Sequence, residues 1–327
     1  MTSSSNVHLL TGGAGFIGAN LARTLVDRGD RVIVLDDFSR GSRENLGALV
    51  QDDRVAVAAA DCSDVDQMRS RLAALRSWGP VTEVWHLAAN SDIPAGVADP
   101  RIDLRNTFLT TFAVLQLTRE AGIRQLNFAS TGAVYGDMGD IDIHEDSSPL
   151  EPISNYGAMK LASEAQIRAA VEQFLDRTNI FRFPNVVGIP ATHGVIYDFI
   201  DKLIASPGRL QVLGNGSQRK PYLHCDTLID AMLFIRDRSQ RRYGVYNIGP
   251  GDAGVTVRWI AETVCELFGG NPEIAYGTEG RGWIGDVPRF RYSTDRLRQL
   301  GWATEVSSEH EVRKAIAQII AQRRPQP

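Results

Sequence analysis

A glycine-rich segment near the start of the chain constrains the fold more than any other feature. Thr11-Gly12-Gly13-Ala14-Gly15-Phe16-Ile17-Gly18 follows an apolar segment and opens a helical pattern. Gly12, Gly15 and Gly18 have the spacing G-x-x-G-x-x-G, which lets a backbone turn approach a pyrophosphate while the helix N-terminus stabilises its charge. The segment therefore predicts the strand–turn–helix unit that opens a dinucleotide-binding domain.

The first half of the chain alternates short apolar segments with helical patterns. Strands are predicted over residues 7–10, 31–35, 55–59, 84–87, 125–128 and 179–182. Helical patterns lie between them, for example over residues 20–28, 65–75, 110–121 and 156–174. Short strands separated by helices indicate βαβ units. We therefore expect an α/β fold with a Rossmann-type, doubly wound parallel sheet.

An acidic residue ends the second predicted strand. Asp36 lies in Val34-Leu35-Asp36-Asp37, 18 residues after Gly18. An acid about 20 residues after the turn accepts hydrogen bonds from ribose hydroxyls and repels a 2′-phosphate. The pattern favours NAD over NADP, and the nearby Arg40 and Arg43 weaken that preference.

A tyrosine and a lysine lie four residues apart on one face of a predicted helix, at Tyr156 and Lys160. A tyrosine with a pKa of about 10 is a poor base at neutral pH, and an ammonium beside it favours the phenolate. Ser130 and Thr131 follow the fifth predicted strand, at the edge where ligands bind in parallel sheets. Alone, the pair is typical of an exposed helix; with the glycine turn, it predicts a catalytic site.

Composition excludes several function classes. The net charge of −4, from 35 basic and 39 acidic residues, provides no basic face for nucleic acid. No apolar run approaches the roughly 18 residues of a membrane helix, and residues 1–5 do not resemble a signal peptide. Cys62, Cys225 and Cys265 are far apart, as is typical of free thiols in a reducing cytoplasm. No histidine has metal-ligand spacing. We expect a cytoplasmic, metal-free enzyme whose partners include neither nucleic acid nor membrane.

Further motifs identify a family. They are Asp61-Cys62, His86-Leu87-Ala88-Ala89, Asn106, residues 130–136, Arg182-Phe183-Pro184-Asn185 and residues 214–226. With the glycine turn, Asp36 and the Tyr156–Lys160 pair, the sequence resembles an extended short-chain dehydrogenase/reductase of the nucleotide-sugar epimerase/dehydratase family. Within that family it is most similar to UDP-glucose 4-epimerases, including members that resemble UDP-glucuronate 4-epimerases.

The resemblance implies NAD as the cofactor and assigns a set of residues to it. The cofactor-binding residues would be Gly12, Gly15, Phe16, Ile17, Asp36, Asp37, Ser39, Arg40, Gly41, Asp61, Cys62, Leu87, Ala88, Ala89, Asn106, Tyr156, Lys160 and Pro184. Asp61 and Cys62 would lie at the adenine, and residues 87–89 would lie under the cofactor.

The resemblance also implies a UDP-sugar substrate. Its residues would be Ser91, Thr131, Tyr156, Asn185, Gln211, Leu213, Arg219 and Arg281. Gln211 and Leu213 would offer backbone groups to the uracil, and the two arginines would bind the diphosphate through their guanidinium groups. Arg281 lies two residues before the family's commoner position for this arginine, which Trp283 occupies here. If the sugar is a uronate, Ser91, Thr131 and residues 191–194 are candidate donors to its carboxylate.

The resemblance implies a first step in which Thr131, Tyr156 and Lys160, with NAD, oxidise the sugar at C4 to a 4-keto intermediate. A 4,6-dehydratase then needs an acid and a base beyond tyrosine. Related dehydratases carry Asp-Glu, or at least Glu, after the catalytic Thr or Ser; here those residues are Gly132 and Ala133. UDP-glucuronate decarboxylases also carry a Glu at the position of Ala133.

The missing carboxylates favour a 4-epimerase. Tyr156 would act as base and then as acid, Thr131 would hydrogen-bond the C4 oxygen, and Lys160 would hold the nicotinamide ribose. The sugar could be glucose/galactose, its N-acetyl form or glucuronate/galacturonate. A nucleotide-sugar 4,6-dehydratase, a 4-reductase and a non-catalytic NAD-binding protein are the alternatives.

The domain organisation completes the expectations. Residues 1–185 would form the NAD-binding Rossmann domain, and residues 186–327 mainly a smaller substrate-binding lobe. The two would be interleaved, because a strand near residues 245–248 would return to the main sheet. The resemblance also implies a homodimer built on the helices over residues 110–121 and 156–174.

Overall fold

The computed structural model describes residues 6–139, 141–278, 291–303 and 305–323. The chain divides into two compact units, each built from separate segments. The first comprises Met1–Val134, Ser154–Arg182 and Met232–Tyr246, and the second comprises Tyr135–Ile153, Phe183–Ala231 and Asn247–Pro327. Compared with the expected division after residue 185, the second unit also contains Tyr135–Ile153 and residues 183–185, and the first also contains Met232–Tyr246.

Fifteen strands form within the described residues. They are β1 Val7–Thr11, β2 Arg31–Asp36, β3 Val55–Ala59, β4 Glu83–His86, β5 Gln125–Ala129, β6 Asp142–Ile143, β7 Arg177–Arg182, β8 Asn185–Val187, β9 Arg209–Val212, β10 Arg219–Lys220, β11 Tyr222–His224, β12 Tyr243–Asn247, β13 Val255–Thr256, β14 Glu273–Tyr276 and β15 Arg291–Tyr292.

The same part of the chain contains twelve α-helices. They are α1 Phe16–Asp27, α2 Arg43–Leu46, α3 Val65–Ala74, α4 Ile93–Ala98, α5 Pro100–Asp103, α6 Thr110–Glu120, α7 Asn155–Gln173, α8 Val195–Ala205, α9 Cys225–Arg238, α10 Val257–Phe268, α11 Asp295–Gln299 and α12 Ser308–Arg323. A π-helical segment, Leu104–Leu109, joins α5 to α6. None of the described helices combines the length and the apolar character that crossing a membrane requires.

The main sheet confirms the predicted doubly wound topology. In the described residues it has seven strands in the order β12-β7-β5-β4-β1-β2-β3. The neighbours from β7 to β3 all pair in parallel. The chain runs outward from β1 first toward β3 and then toward β7, so the order reverses between β1 and β4. In such sheets ligands bind outside the carboxyl ends of the strands at this reversal point.

Apolar side chains on one face of the sheet hold helices against it. Leu9, Ile33 and Val84 lie on adjacent strands and share a buried cluster with Val114 of α6 and Ile167 of α7. Because alternate residues of a strand point to the same face, the apolar strands present a continuous surface there. This packing places the N-terminal end of α7 near the carboxyl edge of the sheet.

Helix starts follow from capping residues. Ser154 caps α7 by accepting a 3.1 Å hydrogen bond from the Gly157 amide, and Asp64 caps α3 through the amides of Asp66 and Gln67. Helix α1 begins at Phe16, four residues before the predicted start, because the glycine turn leads directly into the helix.

The second unit has its own core. Ile200 of α8, Ile260 of α10 and Ile316 of α12 are fully buried and share one apolar cluster. In the described part of the chain, four two-stranded pairs accompany these helices: β8 with β11, β9 with β14, β10 with β13 and β6 with β15.

Candidate active site

The glycine turn depends on two very close backbone approaches. Gly12 has φ +70°, and a Cβ added there would lie 2.7 Å from the Ala88 amide nitrogen. A Cβ at Gly18 would lie 2.3 Å from the Gly12 carbonyl oxygen. Because both neighbours are backbone atoms, a larger residue would require the main chain to move at either position. The structure therefore brings the turn, the start of α1 and the segment after β4 into contact.

The start of α1 suits an anionic ligand. Gly15 is the N-cap residue and offers no side chain to the helix amides, and the first turn contains no acidic residue. Phe16 and Ile17, the first two helical residues, are partly exposed. A helix N-terminus with open amides and a positive dipole end stabilises phosphate. The residues present thus fit the pyrophosphate of a dinucleotide.

Asp36 lies at the end of β2, where it is buried. Its Oδ2 accepts a 2.9 Å hydrogen bond from the Ala14 amide, and its Oδ1 accepts one of 2.8 Å from the Phe38 amide. Burial is the largest influence on this carboxyl and raises its pKa. Each carboxylate oxygen can accept a second hydrogen bond, which leaves capacity for ribose hydroxyls.

The segment after Asp36 lies against the glycine turn. A Cβ at Gly41 would lie 2.6 Å from the Ala14 carbonyl carbon. Asp37 accepts hydrogen bonds from the amide and hydroxyl of Ser39. Arg40 and Arg43, whose positive charges weaken the expected preference for NAD over NADP, both contact other side chains. Arg40 is ion-paired with Asp92, and the Arg43 guanidinium lies over the Phe38 ring.

Other predicted cofactor residues follow β3 and β4 or lie on the π-helical segment. The Leu87 amide donates a 3.0 Å hydrogen bond to the Thr11 carbonyl, and residues 87–89 are partly exposed. Asp61 accepts hydrogen bonds from Ser63 and from Arg105. Cys62 is buried, and burial raises the pKa of its thiol. Asn106, beside Arg105, is exposed.

Thr131, Tyr156 and Lys160 come together at the carboxyl end of β5 and the start of α7. The Thr131 hydroxyl lies near enough to the Tyr156 phenol to lower its pKa. Lys160 Nζ donates a 2.6 Å hydrogen bond to the Ala129 carbonyl and lies 5.9 Å from the centre of the Tyr156 ring. These contacts place a hydroxyl, a phenol and an amine at the edge of the sheet.

The electrostatics of this cluster differ from the expectation that Lys160 favours the phenolate. Burial of the phenol and the charge of Asp103 raise the pKa of Tyr156 to about 12 and outweigh the opposite effect of the Thr131 hydroxyl. Burial lowers the pKa of Lys160 to about 7 against the opposing charge of Glu164. Burial therefore keeps the phenol protonated and weakens the positive charge beside it.

A buried ion pair supports the cluster and was missed in the sequence. The Arg182 guanidinium donates to both carboxylate oxygens of Glu164, at 3.0 and 2.5 Å, and Ser130 donates its hydroxyl to the same carboxylate. All three residues are buried. Glu164 lies four residues after Lys160 on α7, a spacing that could have identified it. The pair joins α7 to the ends of β5 and β7.

A neutral histidine links the glycine turn to α7. His86 Nδ1 lies 2.7 Å from the Thr11 hydroxyl, and its Nε2 lies 3.0 Å from the Thr111 hydroxyl. Thr111 in turn hydrogen-bonds Ser163 of α7 at 2.9 Å. Burial and the charge of Lys160 lower the pKa of His86 to about 3, so the imidazole stays uncharged at neutral pH.

The residues predicted for the substrate are spread over several elements. Ser91 is exposed in the first unit, between β4 and α4. In the second unit, buried Pro184 precedes exposed Asn185 at the start of β8.

The remaining predicted substrate residues also belong to the second unit. The Gln211 carbonyl accepts a 3.0 Å hydrogen bond from Lys202, and Leu213 is 74% exposed. Arg219 is exposed and donates to the Gly254 carbonyl at 2.8 Å. Arg281 lies outside the described residues. Within those residues, no group of three or more His, Cys, Asp or Glu side chains could hold a metal ion.

The model of the NAD dependent epimerase/dehydratase family matches residues 8–249. The chain belongs to this family. This confirms the resemblance drawn from the motifs and the prediction of NAD as the cofactor, which the glycine turn and Asp36 fit.

The relatives are named for different reactions. The UDP-glucose 4-epimerase of Azospirillum brasilense is 30% identical over 321 residues, covering 92% of this chain and 88% of that protein. A crystal structure of the Thermus thermophilus UDP-glucose 4-epimerase in complex with NAD superposes with a TM-score of 0.83 and 28% identity, covering 96% and 98% of the two chains. The dTDP-glucose 4,6-dehydratase of Mycobacterium tuberculosis is 30% identical over 262 residues, covering 77% of this chain and 76% of that protein.

Proposed function

We propose that this chain is an NAD-dependent epimerase that inverts C4 of a UDP-hexose, either glucose/galactose or the corresponding uronates. The observation that carries the proposal is the grouping of Thr131, Tyr156 and Lys160. The two residues that follow Thr131, Gly132 and Ala133, have no ionisable side chains. Inversion at C4 needs one group that removes and returns a proton at the C4 oxygen, and this cluster contains such a group.

Tyr156 is the proposed catalytic base and acid. Its phenol would take the proton from the C4 hydroxyl during oxidation and return it during reduction. The hydroxyl of Thr131, which acts on the same phenol, would donate a hydrogen bond to the same sugar oxygen and hold it in line. NAD, when bound, supplies the acceptor and donor for the C4 hydride. Lys160 would hold the nicotinamide ribose.

The cofactor is proposed to bind along the carboxyl edge of the main sheet. Gly12, Gly15 and the first amides of α1 would hold the pyrophosphate, and Asp36 would hold the adenosine ribose. The other proposed contacts are Phe16, Ile17, Asp37, Ser39, Arg40, Gly41, Asp61, Cys62, Leu87, Ala88, Ala89, Asn106 and Pro184.

The UDP part of the substrate is proposed to bind mainly residues of the second unit. The exposed guanidinium of Arg219 would pair with the diphosphate, because arginine binds phosphate oxygens in a bidentate manner. Backbone groups of Gln211 and Leu213 would bind the uracil, and Asn185 would bind the sugar nucleotide. Arg281 is proposed as a second diphosphate ligand.

The proposed partner of the chain is a second copy of itself. Leu104, Leu109 and Phe112 are exposed large apolar side chains on the π-helical segment and α6. A cluster of this kind on consecutive helical turns is typical of an interface. Light scattering should give the mass of a dimer, and Phe112→Asp should give a monomer; a wild-type monomer would contradict this part of the proposal.

A panel of UDP-sugars tests the reaction. Each sugar is incubated with the chain, and the products are examined by NMR for inversion at C4. We expect at least one UDP-hexose to convert to its C4 epimer, with a Tyr156→Phe preparation as the control. A product that has lost water or carbon dioxide would contradict the interpretation of Gly132 and Ala133.

A further inference from the structure

A buried carboxylate lies on the short helix α5, in contact with residues that lead to the start of α7. Asp103, the last residue of α5, has no exposed surface. Its Oδ1 accepts a 2.8 Å hydrogen bond from the Asn90 side-chain amide. Its Oδ2 is buried and has no hydrogen-bond partner in the described parts of the chain. Because a buried polar atom without a partner costs free energy, its presence calls for a functional reason.

A glycine makes room for this carboxylate. A Cβ at Gly96 would lie 1.8 Å from Asp103 Oδ2, so any other residue at 96 would displace the carboxylate. The Gly96 carbonyl accepts a 2.9 Å hydrogen bond from the side chain of Asn155, which directly precedes Tyr156 on α7. Contacts therefore run from Asp103 through Gly96 to the residue beside the proposed base.

The charge of Asp103 acts on the phenol. It adds to the effect of burial in raising the pKa of Tyr156, while the Thr131 hydroxyl lowers that pKa. Burial and the charge of Asp92 raise the pKa of Asp103 itself, and the Asn90 donor lowers it.

Most of the other charged groups on the surrounding elements are neutralised by partners. On α7, Lys160 donates to the Ala129 carbonyl and has a pKa of about 7. The ion pairs are Arg40 with Asp92 before α4, Arg101 with Asp99 on α5, Arg105 of the π-helical segment with Asp61, and Arg182 of β7 with Glu164 of α7. Asp103 has no such cationic partner among the described residues, so its charge is compensated only by the Asn90 amide.

We propose that Asp103 is a positioning residue for the Tyr156 base, because its buried carboxylate, admitted by Gly96, holds the phenol in its protonated form. This inference rests on the proposed function, in which Tyr156 exchanges a proton with the C4 oxygen. A protonated phenol can donate a hydrogen bond to an incoming hydroxyl. The phenol of Tyr156 therefore loses its proton only after a bound ligand has brought positive charge into the site.

A single spectroscopic probe tests the inference without turnover. 3,5-Difluorotyrosine at position 156 gives one ¹⁹F signal, and fluorination moves the ionisation of the phenol to lower pH, where the fold is intact. We expect the titration midpoint of this signal to lie at lower pH in Asp103→Asn than in the otherwise unchanged chain. Removal of a negative charge makes the phenolate less costly.

Asp99→Asn is the matched control. Asp99 begins the same short helix, and asparagine retains its capping role. We expect no movement of the midpoint in this variant. If Asp103→Asn does not fold, Gly96→Ala/Asp103→Ala removes the charge, and the alanine at 96 fills part of the space that the carboxylate leaves. The same downward shift is expected.

An unchanged midpoint in the Asp103 variants, or an equal shift in Asp99→Asn, overturns the role of Asp103. The outcome is separate from that of the proposed function, which fails if Tyr156→Phe retains full epimerase activity. In the chain without fluorotyrosine, kcat should depend on the ionisation of Tyr156. We expect the part of the kcat–pH profile that reports this ionisation to lie at lower pH in Asp103→Asn than in the wild type. A purely structural role would lower kcat without moving that part of the profile.

Discussion

The glycine turn and the start of α7 lie at the same edge of one sheet, but they are prepared for ligands in different ways. At the turn, Gly12 and Gly18 let backbone atoms approach so closely that a Cβ would lie within 3 Å of them. At α7, the prepared groups are ionisable side chains whose proton affinity is shifted, with the pKa of Tyr156 raised to about 12 and that of Lys160 lowered to about 7.

This difference predicts which substitutions each region tolerates. A backbone site has no titratable group, so it should be indifferent to pH but intolerant of one added methyl group. A site of buried side chains should tolerate small changes of shape and respond strongly to changes of charge or proton affinity. Variants in the two regions should therefore separate cofactor retention from chemistry.

The largest effect is expected from Tyr156→Phe, which removes only the phenol oxygen. Loss of the proposed acid–base group should lower kcat by roughly 10²–10⁴-fold, while NAD content and thermal stability stay close to those of the wild type. Initial rates on the active UDP-sugar measure kcat, and the absorbance of released NAD measures the NAD content. A variant that loses NAD in parallel with activity would show that the phenol serves binding.

Glu164→Gln should have the next largest effect, on stability. It leaves the buried Arg182 guanidinium without its counter-charge, which costs about 3–5 kcal/mol of unfolding free energy. Glu172→Gln is the control on the same helix, because its partner Arg168 is exposed and little change is expected. Urea denaturation of both variants measures the difference; equal stabilities would contradict the importance of the buried pair.

Gly12→Ala should break the backbone site and leave the side-chain site intact. The added Cβ meets the Ala88 backbone in a positive-φ conformation, so we expect a loss of about 1–3 kcal/mol and poor NAD retention. Gly29→Ala is the control, since Gly29 also has a positive φ but nothing within 4 Å of its added Cβ. NAD retained by Gly12→Ala at the level of Gly29→Ala would refute the close-approach argument.

A further prediction concerns the pH dependence of stability. The folded pKa of Lys160, about 7, lies below its ordinary value of 10.5. Between these values the unfolded chain binds the extra proton, so the unfolding free energy should rise with pH across this window. Lys160→Met should lose that rise. Melting curves of the NAD-free chain from pH 7 to 10 test this, and identical slopes would contradict the buried environment assigned to the amine.

The backbone site could be predicted from sequence because its requirement is local. Three glycines at fixed spacing, followed by Asp36 at the end of the next strand, leave few other structures open. The same locality explains why the strands of the main sheet were predicted to within a few residues. The start of α1 differed by four residues, since the helical pattern of side chains begins only after the glycines.

The charges around Tyr156 could not be predicted in the same way, because they depend on burial. Lys160 is near in sequence, yet its proton affinity is set by the packing around its amine, which the spacing does not reveal. The sequence did not indicate Asp103 as a site residue, because the neighbouring Arg101 and Arg105 are typical of an exposed helix. Its effect arises only when α5 packs near α7 and Gly96 leaves space. Glu164, by contrast, could have been found from its spacing to Lys160.

The fate of the hydrogen at C4 tests the central claim most directly. The active UDP-hexose is prepared with deuterium at C4 and converted by the chain, and the product is examined by ²H NMR. An epimerase removes this hydrogen and returns it to the same carbon, so we expect the label at C4 of the inverted sugar. A 4,6-dehydratase eliminates water across C5 and C6 and delivers the same hydrogen to C6. Deuterium at C6 of a 4-keto product would contradict the account.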